Sequence, residues 1–437
     1  MTEPANETPA PSGNLPNGPD QPVWEPTRIY DAVFFCSFFA NVFMLISISL
    51  LFRYADFIKS VGGDEWHLGW IVGFGSVGAI LFRIYQGNAI DRFGPMTIWL
   101  LSLTGLIISN LLHVGIQEVD TWQIYAVRLL MNLCIAGTFG SWLSFVSLRV
   151  PENKVAEVIG VVGSSGFVGM ATGPIIGDWI FATEHAGVSQ VDMMFYVSAG
   201  LLCGALLSAG LGGFLDSQER KRHGAKPLGS RKKKADVAAW DLMKKYHPGF
   251  LLIVAGVMGM SISIPGNFLR PFVEQQGIQQ IKVFFIVYNV VAFVSRVSMR
   301  RAPEVLGLRN TILLGLFLMA LSMVLYTLVD STATMVIPAI AGGLAHSFLF
   351  PSVVAGGTAF FPKQNRGLAT SLVLAMYDIG MLIGSPLVGI SVTTARSRGL
   401  PEYPLTFCLI SGVLIATGLV LWKMYPRGDG VTMSRRG

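Results

Sequence analysis

Twelve stretches of predominantly apolar residues alternate with short polar intervals along this chain. The first six fall at roughly 30–57, 67–86, 96–116, 121–146, 155–182 and 190–214. The second six fall at roughly 249–273, 280–299, 309–329, 333–360, 366–393 and 403–424. Each is about the 20 residues that an α-helix needs to cross a bilayer core. In lipid the helix also satisfies its own backbone N–H and C=O groups, which water would otherwise have to do. The pattern predicts an all-α membrane protein with twelve transmembrane helices in two blocks of six.

Composition agrees. Apolar residues make up 52% of the 437 and charged residues only 13%, about half the charge of a soluble domain. So little charge cannot cover a water-facing surface of this size. Residues 1–28, rich in Pro, Asn and Gly and without an apolar run, predict a disordered cytoplasmic tail rather than a secretory signal. The expected organisation continues with a six-helix bundle over 29–215, a basic cytoplasmic linker over 216–247, a second bundle over 248–425 and a cytoplasmic tail over 426–437.

Lysine and arginine give the expected orientation in the cytoplasmic (inner) membrane. With both termini inside, the outer loops hold only Arg53, Lys59, Arg270, Lys282, Arg396 and Arg398 of the 32 basic residues, the asymmetry of the positive-inside rule. The linker carries "RKKK" at 231–234. Between two blocks of spanning helices, such a run lies against anionic lipid, so membrane lipids and not nucleic acid are the expected partners. Cys36, Cys134, Cys203 and Cys408 each sit in an apolar segment without ligand spacing, and read as small apolar filler.

The halves repeat each other. Arg83-x3-Gly87-x3-Asp91-x2-Gly94 aligns with Arg296-x3-Arg300-x3-Glu304-x2-Gly307 at a shift of 213 residues. "GMATGPIIG" at 169–177 resembles "GMLIGSPLVG" at 380–389, and Pro151 matches Pro362 at a shift of 211. Parallel six-helix repeats, related by a pseudo-twofold along the membrane normal, are a transporter architecture with the solute site between the halves.

These residues carry a family resemblance. Gly87-Asn-Ala-Ile-Asp91-Arg92-Phe-Gly94 resembles the G-x-x-x-D-R-x-G loop between helices 2 and 3 of the major facilitator superfamily. Arg128 falls where that family carries an arginine embedded in helix 4, and Gly169-x3-Gly173-Pro174-x2-Gly177 resembles the helix 5 signature of its antiporters. "GLAHSFLFP" (343–351) and "MYDIG" (376–380) resemble bacterial exporters and sugar-efflux-like permeases. The resemblance spans about residues 30–425 and implies transport by alternating access, with the 87–94 loop closing the inner mouth in the outward-facing state. Departures are Pro95-Met96-Thr97 where basic residues often follow the loop, and Arg300 and Val305 in place of Gly and Arg in the second copy.

The residues also speak for themselves. Gly87 would let two helices approach, and Asp91 would cap a helix N-terminus or pair with Arg92. Gly173-Pro174 and Gly384-Ser385-Pro386, with Gly380 and Gly389, would bend helices or admit close packing. Asp378 lies about 18 Å into its helix, and His346 reaches a similar midplane depth. Asn41 and Asn132 fall near the same level and Arg128 one turn closer to the outside. Asp378 breaks the repeat, because its counterpart is Phe167. A carboxylate or imidazole at that depth can take up and release a proton. The expected pathway is therefore Asn41, Arg128, Asn132, His346, Tyr377 and Asp378, with Asp378 either coupling to protons or bonded structurally, for instance to His346. Trp142, Phe348 and Phe350 are further candidates to line a cavity. Helix 1 offers Asn41 where many proton-coupled drug exporters carry an acid.

Export of a small organic solute coupled to protons is the expected function. Symport of a sugar or organic anion, and a non-transporting receptor, are the alternatives. No H-E-x-x-H and no G-x-x-x-x-G-K-[ST] occurs, so neither enzyme chemistry, a metal, a cofactor nor a built-in ATP drive is expected. The chain is expected to act as a monomer.

Overall fold

The structure, a computed structural model, describes residues 29–151, 154–182, 188–224, 244–299, 302–362 and 365–425. The expectations for 1–28, for "RKKK" and for 426–437 lie outside the described residues, as does Arg300.

Twelve long helices occupy the described residues: α1 Ala32–Ser60, α2 Glu65–Phe93, α3 Pro95–Val114, α4 Trp122–Arg149, α5 Val155–Ile180 and α6 Val188–Arg222. The second block comprises α7 Leu251–Gln275, α8 Lys282–Ser298, α9 Leu308–Leu325, α10 Val336–Ala359, α11 Arg366–Ser397 and α12 Glu402–Met424. At 17 residues α8 is the shortest, still at the lower bound for a span. Local signals set the helix starts. Asp31 accepts from the Phe34 N–H at 2.9 Å, and Asp64 forms a capping box with His67 at the head of α2.

Boundaries differ from expectation where a polar motif was taken as the end of an apolar run. α2 runs on through Gly87 and Asp91 to Phe93, so the motif expected to be a loop occupies the last turns of the helix. α6 likewise passes Leu215 and ends at Arg222. Gly94 makes the turn after α2 at φ 81°, ψ 151°, and Gly307 makes its repeat partner at φ 79°, ψ 149°. That region is open to glycine alone, so the repeat extends to backbone dihedrals.

In the first block α1 packs on α5 and α6, α2 on α4, and α3 on α4 and α6. The second block repeats this six helices later: α7 on α11, α8 on α10, and α9 on α10 and α12. The blocks meet along two seams, α2–α11 and α5–α8. Exchanging the blocks turns one seam into the other, which is the expected pseudo-twofold. Large apolar side chains such as Leu207, Phe214, Leu419 and Trp422 point outward exposed, as a lipid-facing surface requires.

Small residues set the inter-helix distances. A Cβ on Gly169 would stand 2.5 Å from Leu45 Cβ, and one on Gly173 would stand 2.6 Å from the Ile46 carbonyl oxygen. Gly177 faces Arg53, so the whole signature packs on α1. In the repeat, Gly380 abuts the Gly256 backbone and Gly384 abuts Met260 of α7, while Gly389 meets the Glu65 backbone of α2. Both signature-bearing helices stay helical through Pro174 and Pro386. Close packing is what these glycines do.

Candidate functional site

The α2–α11 seam begins tight. A Cβ on Gly69 would fall 2.6 Å from the Ser385 carbonyl oxygen, and one on Gly73 would fall 2.6 Å from Pro386 Cδ. Further along, Arg83 Nε donates to Asp378 Oδ2 across the seam, with side-chain exposures of 13% and 7%. Beyond this pair Ile84, Tyr85 and Gly87 are exposed. A Cβ on Gly87 of α2 or on Gly367 of α11 would meet nothing within 4 Å, so among the described residues Arg83 and Asp378 form the last hydrogen bond across the seam before it parts. Asp378 thus pairs with Arg83 rather than with His346, and Arg83 of the repeated motif makes its bond across the seam. Breaking a buried pair of this kind by removing one partner costs about 3–5 kcal/mol.

The α5–α8 seam carries the repeat images of both residues. Arg296 Cζ lies 5.2 Å from the centroid of the Phe167 ring, and Phe167 meets Phe293 edge-on with centroids 5.4 Å apart. Arg296 Nε is buried with no hydrogen-bond partner among the described residues. His346 bonds instead to Tyr288, ring Nδ1 to hydroxyl, at 2.9 Å. Phe350 packs edge-on against both His346 and Tyr377. These four rings form one cluster, whereas Phe348 is core and Trp142 is held in the first block by its indole N–H on the Ser37 carbonyl at 3.2 Å.

In the first block Asn41 Nδ2 donates to Ser165 Oγ at 2.6 Å, leaving its Oδ1 buried and unsatisfied among the described residues. Arg128, 8% exposed, stacks its guanidinium over Tyr54 at 4.1 Å. Its Nε has no partner among the described residues. The Tyr54 hydroxyl reaches His113 Nε2 at 3.2 Å, and His113 Nδ1 sits 2.7 Å from the Ser109 carbonyl. Since a carbonyl can only accept, Nδ1 carries the proton and the tyrosine donates to Nε2. Asn132 lies beside Arg128 against Gly75. Among the described residues Arg128 is therefore a buried cation held by an aromatic face and by the Met131 sulfur at 3.6 Å, with no carboxylate.

A buried network that sequence reasoning missed ties the halves at one end of the molecule. Arg53 donates to Asp178 at 2.7 Å, to Asp56 at 3.0 Å and to the Gln279 carbonyl at 2.8 Å. Asp178, at the end of α5, also accepts from the N–H groups of Ile281 and Lys282 at 3.2 and 2.9 Å. These amides open α8, so the carboxylate caps a helix of the other half. Arg270 reaches back to Asp56 at 3.0 Å, and Lys59 pairs with Glu274 at 2.6 Å. Arg53 and Arg270 were expected in outer loops; both are buried between the halves. The available signal was Asp178 directly after the Gly-rich signature, a carboxylate inside an apolar run.

The opposite end is open. A Cβ on Gly87 would meet nothing within 4 Å, so no helix approaches it in this conformation. Asp91 makes no hydrogen bond or ion pair among the described residues, and Arg92 lies over its own neighbour Phe93 at 5.1 Å. Glu304, on the short helix Ala302–Val305, is exposed. Within the first block, Arg149 at the end of α4 reaches Asp31, Asp216 and Glu219 at 2.7–2.9 Å.

Comparison with known proteins fits this architecture. The Major Facilitator Superfamily model matches residues 32–303 and 301–434. The chain is 21% identical over 355 residues to the multidrug resistance protein MdtG of Salmonella arizonae, covering 78% of this chain and 81% of that protein. Its fold superposes on a crystal structure of a mutant of the nucleoside transporter NupG with a TM-score of 0.74 at 13% identity, covering 91% of this chain and all of the other. A D-xylose–proton symporter gives 0.70 at 13% identity, covering 91% and 98%. Twelve apolar helices, two exchanging seams and a family match along nearly the whole chain make this multi-pass membrane protein a transporter of the major facilitator superfamily.

Proposed function

We propose that this transporter exports small organic solutes in exchange for protons across the cytoplasmic membrane, and that the conformation described is closed outside and open to the cytoplasm. Sidedness is inferred from the lysine and arginine distribution, with the Arg53 network on the outer face. The observation that carries the coupling is the Arg83–Asp378 pair, a charged bond between the halves at the point where their seam parts. Protonating Asp378 removes its charge and releases Arg83, so the seam can rearrange. Deprotonation restores the pair. Proton occupancy and seam geometry are then one equilibrium.

Arg128 and Asn41 belong to the solute pathway, since each holds a buried polar atom at membrane depth without a partner among the described residues, and Asn132 joins them beside Arg128. Asp91 is the inner latch, released here and engaged when the inner mouth closes. Similarity to a protein named for multidrug resistance supports organic compounds as cargo.

The test uses proteoliposomes loaded with ethidium under an imposed pH gradient. Wild-type protein moves the dye with the gradient, and Asp378→Asn loses the pH dependence. An unchanged pH profile in that variant rejects the coupling. Opposite rates in everted and right-side-out vesicles decide direction.

A further inference from the structure

The α5–α8 seam is the repeat image of the α2–α11 seam, and the two differ in one decisive side chain. Arg296 stands where Arg83 stands, and Phe167 stands where Asp378 stands, at shifts of 213 and 211 residues. In one seam the guanidinium meets a carboxylate. In the other it lies over a phenyl face, with its Nε buried and unpartnered among the described residues. Arginine stays charged at any physiological pH. A buried guanidinium N–H needs an acceptor along its bond direction, and a ring face above the plane supplies none, so half-buried Arg296 keeps donor capacity for a ligand.

We propose that Arg296 anchors the anionic group of a transported organic acid. The site lies in the half of the α5–α8 seam nearer the open mouth, about 21 Å along α8 from Lys282 by helical rise. The chemistry of the ligand is read from the repeat: the same frame, in the other seam, holds a carboxylate against the equivalent arginine. The scaffold has the geometry for that ion pair and leaves one partner to arrive from solution. Phe167 and Phe293 offer adjoining ring surface. Tyr288 of the aromatic cluster lies on the same helix, two turns from Arg296. An aromatic carboxylate matches both the cation and the rings. This assignment rests on the reading of the chain as a transporter of organic solutes and adds organic acids to them, with their own anchor.

The experiment follows thermal unfolding of the purified full-length protein with naphthoate and with its neutral amide, naphthamide. Naphthoate is expected to raise Tm in proportion to the logarithm of its concentration, and naphthamide is expected to leave it unchanged. Phe167→Asp installs the acid that the other seam already has, so Arg296 becomes internally paired and the apparent Kd for naphthoate weakens at least tenfold. Phe167→Asn, of the same size without the charge, retains the shift. Arg296→Gln loses it and serves as the second test should the aspartate variant fold poorly. Equal stabilisation by acid and amide in the wild type, or an undiminished naphthoate shift in Arg296→Gln, overturns the assignment. Ethidium transport with normal pH dependence in Arg296→Gln, together with either of those results, would sink this site and leave the exporter reading standing.

Discussion

In the proposed orientation Asp178 holds the outer mouth shut with three acceptor contacts, and its removal should swing the transporter open. In Asp178→Ala the Arg53 guanidinium keeps Asp56 and the Gln279 carbonyl, so it loses one of two carboxylates. The amides of Ile281 and Lys282 lose the acceptor that capped them. A hydrogen bond to a charged group is worth about 1.5–3 kcal/mol. A carboxylate at a helix N-terminus adds about 0.3–1 kcal/mol, rising towards 2 when partly buried. Water entering an opened mouth recovers part of this, leaving a loss of about 3 kcal/mol from the closed state alone. Because about 1.4 kcal/mol is tenfold, the ratio of outer-open to outer-closed molecules should rise on the order of a hundredfold. Asp178→Asn keeps the shape and one acceptor oxygen, and should shift the ratio by roughly tenfold. Spin labels at Ser60 and Gln276, exposed at the ends of α1 and α7, report the separation by double electron–electron resonance once the exposed Cys203 and Cys408 are replaced. A distance distribution in Asp178→Ala identical to that of the parent would refute the latch.

Other expectations follow from the same geometry. Asp378→Ala and Arg83→Ala should each destabilise the folded protein by about 3–5 kcal/mol, whereas the double variant should cost clearly less than their sum; additive losses in a thermal-unfolding cycle would show that the pair is not coupled. Asp91→Asn should leave stability in this conformation unchanged, because the carboxylate has no partner among the described residues, yet slow ethidium transport strongly by weakening the opposite state; a normal transport rate counts against the latch role. Gly94→Ala and Gly307→Ala force a side chain into a region reserved for glycine and should each lower stability by about 1–3 kcal/mol, visible as matched drops in Tm.

The helices were legible because lipid leaves a chain few choices: an apolar run of about 20 residues must close its own backbone bonds. The repeat was legible for a different reason. Gly94 and Gly307 are fixed by backbone geometry, and Gly173 and Gly384 by the distance to α1 and α7, so neither pair tolerates replacement by a larger residue without strain. What stayed hidden was partnership. Nothing local to Asp378 says that its counter-ion lies 295 residues away on α2, and the nearer candidate in depth, His346, spends its ring nitrogen on Tyr288. Depth counted along a helix ranks residues by level but not by azimuth, and pairing needs both. Arg53 misled for the complementary reason: its position at a helix end suggested a solvated loop, whereas a seam between two bundles buries it. Phe167 carried information that only the ion pair of its repeat image made readable.

Arg149 has a mechanical consequence. One guanidinium binds carboxylates near the start of α1 and the end of α6 from the end of α4, on the face where the two bundles part. Three helices riveted at their tips cannot splay independently, so force applied at one face reaches the other without being absorbed by bending. The bundle works as a stiff lever, and its shape should be nearly the same whichever way the transporter faces.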